Sequence, residues 1–272
     1  IPHSSTSRGL GDVYKRQGLE SLLLEGARRL SRNELADLWG NLSPDDDRAL
    51  RHAARAVLEK HPVGMWRELV LKEENCHRAG LGLIALARAG APGSAEDVMN
   101  KVMEFDYAAI AAEKDRLNLL RALTLALTRG GKPEPEIRLR VLRWLEDIYP
   151  AASARENRDL TALLASLESP SLVPRAMMLL ETSTSQEEQI TYAMNLRFIK
   201  EGWNPPLRLQ YFQWLARSEN YNGGPRFRGY LSDIRRDAIA SIPAGERTAV
   251  LKKWFRAPGE KGPAQFSSKP RK

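Results

Sequence analysis

The stretch RLNLLRALTLAL, Arg116–Leu127, decides the fold class of this 272-residue chain. Its apolar side chains recur at intervals of three and four residues, the spacing that places them on one face of an α-helix. One side of that helix carries Leu117, Leu120, Leu123, Ala126 and Leu127, and Leu119 and Leu125 widen it. The pattern predicts an α-helix that is buried on nearly all of its surface.

Helices of this kind return along the chain at a regular interval. Segments rich in leucine and small residues end at LIALARAG (Leu83–Gly90), LTLALTRG (Leu123–Gly130) and LTALLASLES (Leu160–Ser169), about 40 residues apart. A shorter, more polar helix such as VLRWLEDIY or LVPRAMMLLE follows. This period is typical of HEAT-type helical hairpins, which stack because one pair cannot bury its own apolar faces. We predict an all-α fold, a right-handed α-α superhelix of HEAT-like hairpins; an irregular helical bundle is the alternative.

Helix start signals support the same fold class. Ser31 with Glu34, Ser94 with Asp97 and Ser185 with Glu188 each follow the capping-box spacing. No segment alternates in the two-residue period of a strand. The patterns predict fourteen helices, near residues 18–30, 32–41, 44–60, 62–72, 76–89, 94–104, 111–129, 134–147, 154–168, 170–182, 185–200, 205–218, 225–241 and 243–255.

The N-terminal segment SRGLGDVYKRQ, Ser7–Gln17, shows no helical periodicity and none of the features of a signal or transit peptide. Translated backwards, all eleven residues reproduce a transposase-based sequencing adapter in one reading frame. We therefore interpret residues 1–17 as non-native and disordered, and we expect the remainder to be a fragment of a longer protein. The alternative is a natural disordered N-terminus.

The formal charge of +8 is concentrated at the two ends of the chain. Residues 1–17 carry +2 and residues 256–272 carry +4, which leaves +2 for residues 18–255. A nearly neutral body argues against nucleic-acid binding as the main role. We predict a helical-repeat domain over residues 18–255 and a basic disordered tail or linker over residues 256–272, and we do not expect nucleic acid to be a partner.

Few residues suggest catalysis or metal binding. Cys76 is the single cysteine, which excludes an internal disulfide, and the c-type haem motif would need a second cysteine where Glu73 stands. A nucleophilic thiol would need a base and an orienting group in contact, so we interpret Cys76 before His77 as a half-buried structural residue.

His3, His52, His61 and His77 lack metal-ligand spacing, and Asp45–Asp47 is interpreted as a capping cluster rather than a cation site. We predict no catalytic, cofactor-binding or metal-binding residue, and no apolar run approaches the roughly 18 residues of a membrane span.

The densest group of aromatic and basic residues lies between Glu201 and Ile242. Such a group can stack bases and hold phosphates, or it can be the packing face of a helix with a solvated rim of arginines. We favour packing for Tyr211 and Trp214, with Asn222–Pro225 as a turn between helices. The possible interaction surface comprises Trp203, Tyr221, Arg226, Arg228 and Tyr230.

The same region carries a resemblance. Residues Thr184–Ile242, with QEEQI, a YFxW helix and a GG…FxGYL pattern, resemble the HEAT-repeat section of large bacterial proteins described as haem-binding or membrane-bound dehydrogenase-like. The resemblance extends from about Trp66 to Ile242. It implies an upstream sugar-dehydrogenase-type β-propeller and a downstream c-type cytochrome domain carrying haem c, an exported or periplasmic location, and these flanking domains as partners. It carries over no catalytic residue.

From these observations we expect a non-catalytic scaffold or docking segment of a cytochrome-linked dehydrogenase-like protein. The alternative is a stand-alone helical-repeat module that binds a protein, a peptide or nucleic acid.

Overall fold

A computed structural model of the chain describes residues 17–23, 29–43 and 48–255, except for the side chains of 249 and 251–255. These parts contain α-helices and short 3-10 turns, and no strand. The prediction of an all-α fold is therefore confirmed. The predicted N-terminal scar up to residue 16, the acidic cluster Asp45–Asp47 and the tail after residue 255 lie outside the described residues.

The chain divides into two compact units between Asp159 and Leu160, inside α9 (Ala154–Ser166). The first unit contains α1 (17–23), α2 (Arg32–Gly40), α3 (Arg48–Lys60), α4 (Arg67–Lys72), α5 (Cys76–Ala89), α6 (Ser94–Met103), α7 (Glu113–Gly130) and α8 (Pro135–Ile148). The second contains α10 (Leu172–Thr182), α11 (Gln186–Leu196), α12 (Pro205–Arg217), α13 (Phe227–Ser241) and α14 (Ala244–Phe255). The 3-10 turns are Val63–Met65, Tyr107–Ala109 and Ser218–Asn220.

All fourteen predicted helices have a counterpart in the described residues, with differences at their ends. The helix predicted over 62–72 is divided in the structure. A 3-10 turn comes first, and α4 begins only after Trp66. The helix predicted over 185–200 ends at Leu196. Phe198 therefore lies beyond the end of α11, although the predicted helix included it.

The predicted caps differ in outcome. Ser31 and Glu34 form a complete capping box on α2, and the hydroxyl of Ser185 accepts from the backbone N–H of Glu188 on α11. The prediction for Ser94 was wrong. Gly93, with φ +77°, is the N-cap of α6 and offers no side chain, so Ser94 is already the first helical residue.

The core of the first unit lies between α5, α6 and α7. On α7 the fully buried residues are Leu119, Leu120, Ala122, Leu123 and Ala126. Leu117, Leu125 and Leu127 are only half-buried, so the helix has a one-sided buried face and is not buried all round. Helix α5 approaches its neighbours closely: a Cβ added at Gly82 would lie 2.7 Å from the Trp39 ring of α2.

A buried carboxylate fixes the connection between α6 and α7. Glu156, at the start of α9, is 2% exposed; it accepts a hydrogen bond from the hydroxyl of Tyr107 at 2.8 Å and from Nη2 of Arg116 at 2.8 Å. Arg116 also donates to the carbonyl oxygen of Ile110. A buried charge is tolerated only when it is paired and hydrogen-bonded, and this carboxylate meets both conditions.

The second unit is built around the aromatic residues of α12. Tyr211, Phe212 and Trp214 are each 1–2% exposed. The Tyr211 hydroxyl donates to the backbone oxygen of Ala193 on α11 at 2.7 Å. The predicted packing role of Tyr211 and Trp214 is therefore confirmed.

Candidate functional site

The structure places the five residues of the predicted interaction surface just before α12, in the loop after it and at the start of α13. Trp203, just before α12, is half-buried and donates from Nε1 to the carbonyl oxygen of Ile199 at 2.9 Å. Its ring lies 5.3 Å from the Tyr211 ring and 5.1 Å from the Arg208 guanidinium. These contacts occupy both the polar and the apolar parts of the indole, so Trp203 is a packing residue.

Tyr221 is also half-buried, and it joins a network that sequence reasoning missed. Its hydroxyl donates to Oε1 of Gln189 on α11, and Trp214 donates to the same oxygen from Nε1 at 2.8 Å. Gln189 in turn donates from Nε2 to the carbonyl oxygen of Ser183 at 2.6 Å. One amide thus holds the loop after α12 against the start of α11, and Tyr221 has a structural partner rather than a free hydroxyl. The QEEQI motif contains this glutamine, but nothing in the sequence indicates its partners.

Arg226 and Tyr230 lie on one side of α13. Arg226 precedes Tyr230 by four residues, about one helical turn, and its backbone is already helical. Tyr230 is 39% exposed, and its hydroxyl lies 2.6 Å from Sδ of Met194 on α11. Arg226 is exposed and has no charged partner among the residues that the structure describes.

Arg228 points elsewhere, because it lies two residues from both Arg226 and Tyr230, about 200° around the helix. It lines a cleft of about 350 Å³ together with Glu219, Leu231 and Arg235. Arg228 and Tyr230 therefore lie on different sides of α13, because residues two positions apart on a helix do not face the same way. The predicted interaction surface stays a prediction.

Phe198 is the exposed apolar residue that sequence reasoning did not single out. It is 59% exposed, more than any other large apolar residue among the described side chains. The guanidinium of Arg197 lies 4.3 Å from the centre of its ring and also pairs with Asp237 of α13 at 3.2 Å. The ring of Phe198 is thus held in place at the junction of α11 and α13 while most of it faces solvent. The exposure of Phe198 follows from the position at which α11 ends. No sequence pattern locates that position.

Met194, Arg197, Phe198, Arg226 and Tyr230 are named the α11–α13 surface below. All five belong to the second unit, and two of its aromatic rings are more than one-third exposed. Soluble proteins seldom leave grouped large apolar side chains exposed unless they bind something there. Aromatic residues, methionine and arginine are also the residue types enriched at protein interfaces.

The thiol of Cys76 does not have the environment of a nucleophile. Burial, and then the carboxylate of Asp115, raise the pKa of Cys76 to about 11, so it is a protonated thiol at neutral pH. Nδ1 of the adjacent His77 lies 2.5 Å from Oδ1 of Asp115 on α7, which ties α5 to α7. The arrangement supports the interpretation of this pair as structural.

Within residues 17–23, 29–43 and 48–255, no group of three or more histidine, cysteine or acidic side chains is arranged to hold a metal ion. In the same ranges no helix combines the length and the apolar character that crossing a membrane would need.

Comparisons of the chain with protein-family models, with curated proteins and with solved structures returned no match. The resemblance to haem-binding dehydrogenase-like proteins therefore stays a prediction.

Proposed function

We propose that this chain is a non-catalytic helical scaffold that docks another protein on its α11–α13 surface. The observation that carries the docking role is Phe198, a ring that is 59% exposed yet positioned by the stacked Arg197. A positioned aromatic ring loses little conformational entropy on binding, which makes it an effective anchor. Tyr230 and Arg226, which has no charged partner among the described residues, extend the surface with a second ring and a positive charge.

The proposed scaffold is a right-handed superhelix of HEAT-like hairpins. Its support is a set of hydrogen bonds between different elements whose partners are separated in the sequence by close to the predicted 40-residue period. These distances are 38 residues for His77 and Asp115, 40 for Arg116 and Glu156, 40 for Arg140 and Asn100, 36 for Gln186 and Asn222, and 36 for Tyr230 and Met194. Small-angle scattering tests this proposal, because a compact protein of this size has a radius of gyration of about 18 Å and a superhelix has a larger one.

The larger protein proposed from the resemblance is an exported, cytochrome-linked dehydrogenase-like protein, in which this segment lies between a propeller and a cytochrome domain. Haem c would belong to the cytochrome domain, because the present chain has Glu73 where an attachment motif around Cys76 would need a cysteine. Sequencing the DNA on both sides of this coding region tests the arrangement. Propeller repeats upstream and a Cys-x-x-Cys-His motif downstream are expected; their absence from a complete gene would favour a stand-alone binding module.

Nucleic acid is the weaker alternative as a partner. Base stacking needs accessible rings, whereas Trp203 and Tyr221 are half-buried and their polar atoms are hydrogen-bonded. Phe198 and Tyr230 do expose their rings, and Arg226 lies on the same surface. A protein partner would contact both rings with an apolar anchor and pair with Arg226 through an acidic rim.

The docking role is tested by expressing the proposed propeller and cytochrome domains separately and titrating each with this chain. We expect Phe198→Ala and Tyr230→Ala to weaken binding by about 30-fold or more, the loss expected of an interface anchor. Met178→Ala is the matched control, because Met178 is 49% exposed on α10 of the same unit. Equal affinities for all three variants would refute the α11–α13 surface as the docking site and leave the scaffold proposal to the scattering measurement.

A further inference from the structure

A second candidate site lies in the first unit, at the beginning of α6. A cavity of about 280 Å³ opens there between the C-terminal ends of α5 and α7. Its wall consists mainly of glycine and alanine, and a Cβ added at Gly130 would lie 2.3 Å from Cβ of Ala95. Helices α6 and α7 therefore approach each other closely at this edge of the cavity, and its wall carries few large side chains.

The start of α6 presents unused hydrogen-bond donors to this cavity. Its N-cap, Gly93, has no side chain to accept from the first turn. Ser94 donates its backbone N–H to Ala91 at 3.0 Å, and Asp97 donates to Gly93 at 3.1 Å. The N–H groups of Ala95 and Glu96 have no partner in the described part of the chain. Free N–H groups together with the positive end of the helix dipole favour an anion at this position.

The side chain of Ser94 is the independent indication that a ligand binds there. Ser94 lines the cavity and is 1% exposed, and its hydroxyl has no hydrogen-bond partner among the described residues. A buried hydroxyl without a partner is costly, so native proteins seldom retain one unless another group completes it. A ligand oxygen in the cavity would supply the missing partner.

The charged groups around the cavity determine which ligand fits. Arg129, on the last turn of α7, lines it and forms no ion pair within the described residues. Arg67 lies beside Gly93 but is already paired with Asp97 at 2.5 Å. Glu96 also lines the cavity and would repel an anion unless it accepts a hydrogen bond from a hydroxyl of the ligand.

We propose that this cavity binds a phosphate group, with its oxygens on the N–H groups of Ala95 and Glu96, the hydroxyl of Ser94 and the guanidinium of Arg129. The cavity of about 280 Å³ is larger than the five heavy atoms of a phosphate ion fill. The remaining space beside Glu96 suits a small hydroxylated group attached to the phosphate.

Calorimetric titration of the full chain at low ionic strength, with inorganic phosphate and separately with glycerol 3-phosphate, tests the proposal. We expect saturable binding with a stoichiometry of one. Tighter binding of glycerol 3-phosphate would identify an organic phosphate as the ligand, and tighter binding of inorganic phosphate would identify the free ion. Binding of neither probe would overturn the proposal.

Three variants and a control locate the binding. Arg129→Gln is expected to weaken phosphate binding by about tenfold, the effect of one charge-assisted hydrogen bond. Glu96→Gln is expected to tighten the binding of inorganic phosphate by about two- to fivefold, because a nearby negative charge is removed. Ser94→Ala should weaken binding without destabilising the free protein, since the hydroxyl has no partner to lose. Arg143→Gln, an exposed arginine on α8, should change nothing. Equal affinity of the Arg129→Gln and Arg143→Gln variants would contradict the assignment.

Discussion

Trp214 of α12 donates its indole N–H to the side-chain oxygen of Gln189 on α11, 2.8 Å away, and so joins two neighbouring helices. The indole is 1% exposed and also meets the ring of Tyr221 at 6.1 Å. The residue therefore combines a large apolar contact with a satisfied polar atom, which is the condition for burying tryptophan.

Replacing Trp214 by alanine should lower the free energy of unfolding by about 3–5 kcal/mol, because a large buried side chain is removed. Trp214→Phe should cost less, since it keeps much of the ring and loses the hydrogen bond to Gln189. Urea denaturation measures both. Arg228→Ala is the control and should change the free energy by less than about 0.5 kcal/mol. If Trp214→Ala were as stable as the control, the packing described for α12 would be incorrect.

Glu156→Gln should destabilise the first unit by about 1–3 kcal/mol. The substitution removes the negative charge that pairs with Arg116, while burial keeps the pKa of Tyr107 raised and its hydroxyl protonated. The matched control is Glu68→Gln, whose ion pair with Lys72 is exposed to solvent on both sides and should contribute less than about 1 kcal/mol. Equal effects of the two substitutions in thermal unfolding would show that the buried carboxylate is not what fixes the loop before α7.

Gly202→Ala should destabilise the second unit by about 2–4 kcal/mol. Gly202 has φ +78°, and an added Cβ would lie 2.7 Å from the carbonyl oxygen of Pro170. Both the left-handed backbone and the clash with a backbone atom oppose a side chain there. In contrast, Gly229→Ala in α13 meets nothing within 4 Å and should stabilise the protein by up to about 1 kcal/mol. Melting temperatures that move in the same direction for both variants would contradict the backbone conformation at Gly202.

The thiol of Cys76 should ionise only near pH 11 in the folded protein. Ultraviolet absorbance of the thiolate against pH measures this midpoint, and an unperturbed thiol would ionise near pH 8.5. Because a nearby negative charge raises the pKa of a thiol, Asp115→Asn should lower the midpoint. An ordinary midpoint in the folded wild type would mean that Cys76 is more accessible than its half-buried position indicates.

The chain truncated after Phe255 should bind nucleic acid only non-specifically, with a dissociation constant of roughly 10⁻⁴–10⁻⁶ M that weakens steeply with salt. The reason is that the truncation removes +4 of the +8 formal charge. Fluorescence anisotropy with labelled single- and double-stranded oligonucleotides measures it. Tight, sequence-selective binding that survives the truncation would favour the nucleic-acid alternative over protein docking.

The helices could be predicted from the sequence because apolar residues at intervals of three and four report burial directly. The details that depend on partners distant in the sequence could not. The ring of Trp39 occupies the space where a side chain at Gly82 would lie. The hydroxyl of Tyr221 donates to Gln189, 32 residues away. The residues next to Trp39 and Tyr221 in the sequence do not indicate these partners. An aromatic residue between arginines has the same local sequence pattern whether it is buried or exposed.

The candidate surface shares Arg226 and Tyr230 with the surface predicted from the sequence and adds Met194, Arg197 and Phe198. Both shared residues are exposed. Phe198 was missed because its exposure follows from the end of α11 at Leu196, and helix ends are the least predictable part of a periodic pattern.

The recurrence of hydrogen-bonded partners 36–40 residues apart also bears on how the protein folds and opens. Each helix contacts others that are near in the chain, so no contact described at this distance requires closing a very long loop, and folding should be fast for a protein of this length. In the proposed superhelix, unfolding would not be all-or-none, because the loss of one helical pair removes partners only from its neighbours. Amide hydrogen exchange should therefore reveal several opening reactions of different free energy along the chain, rather than a single global one.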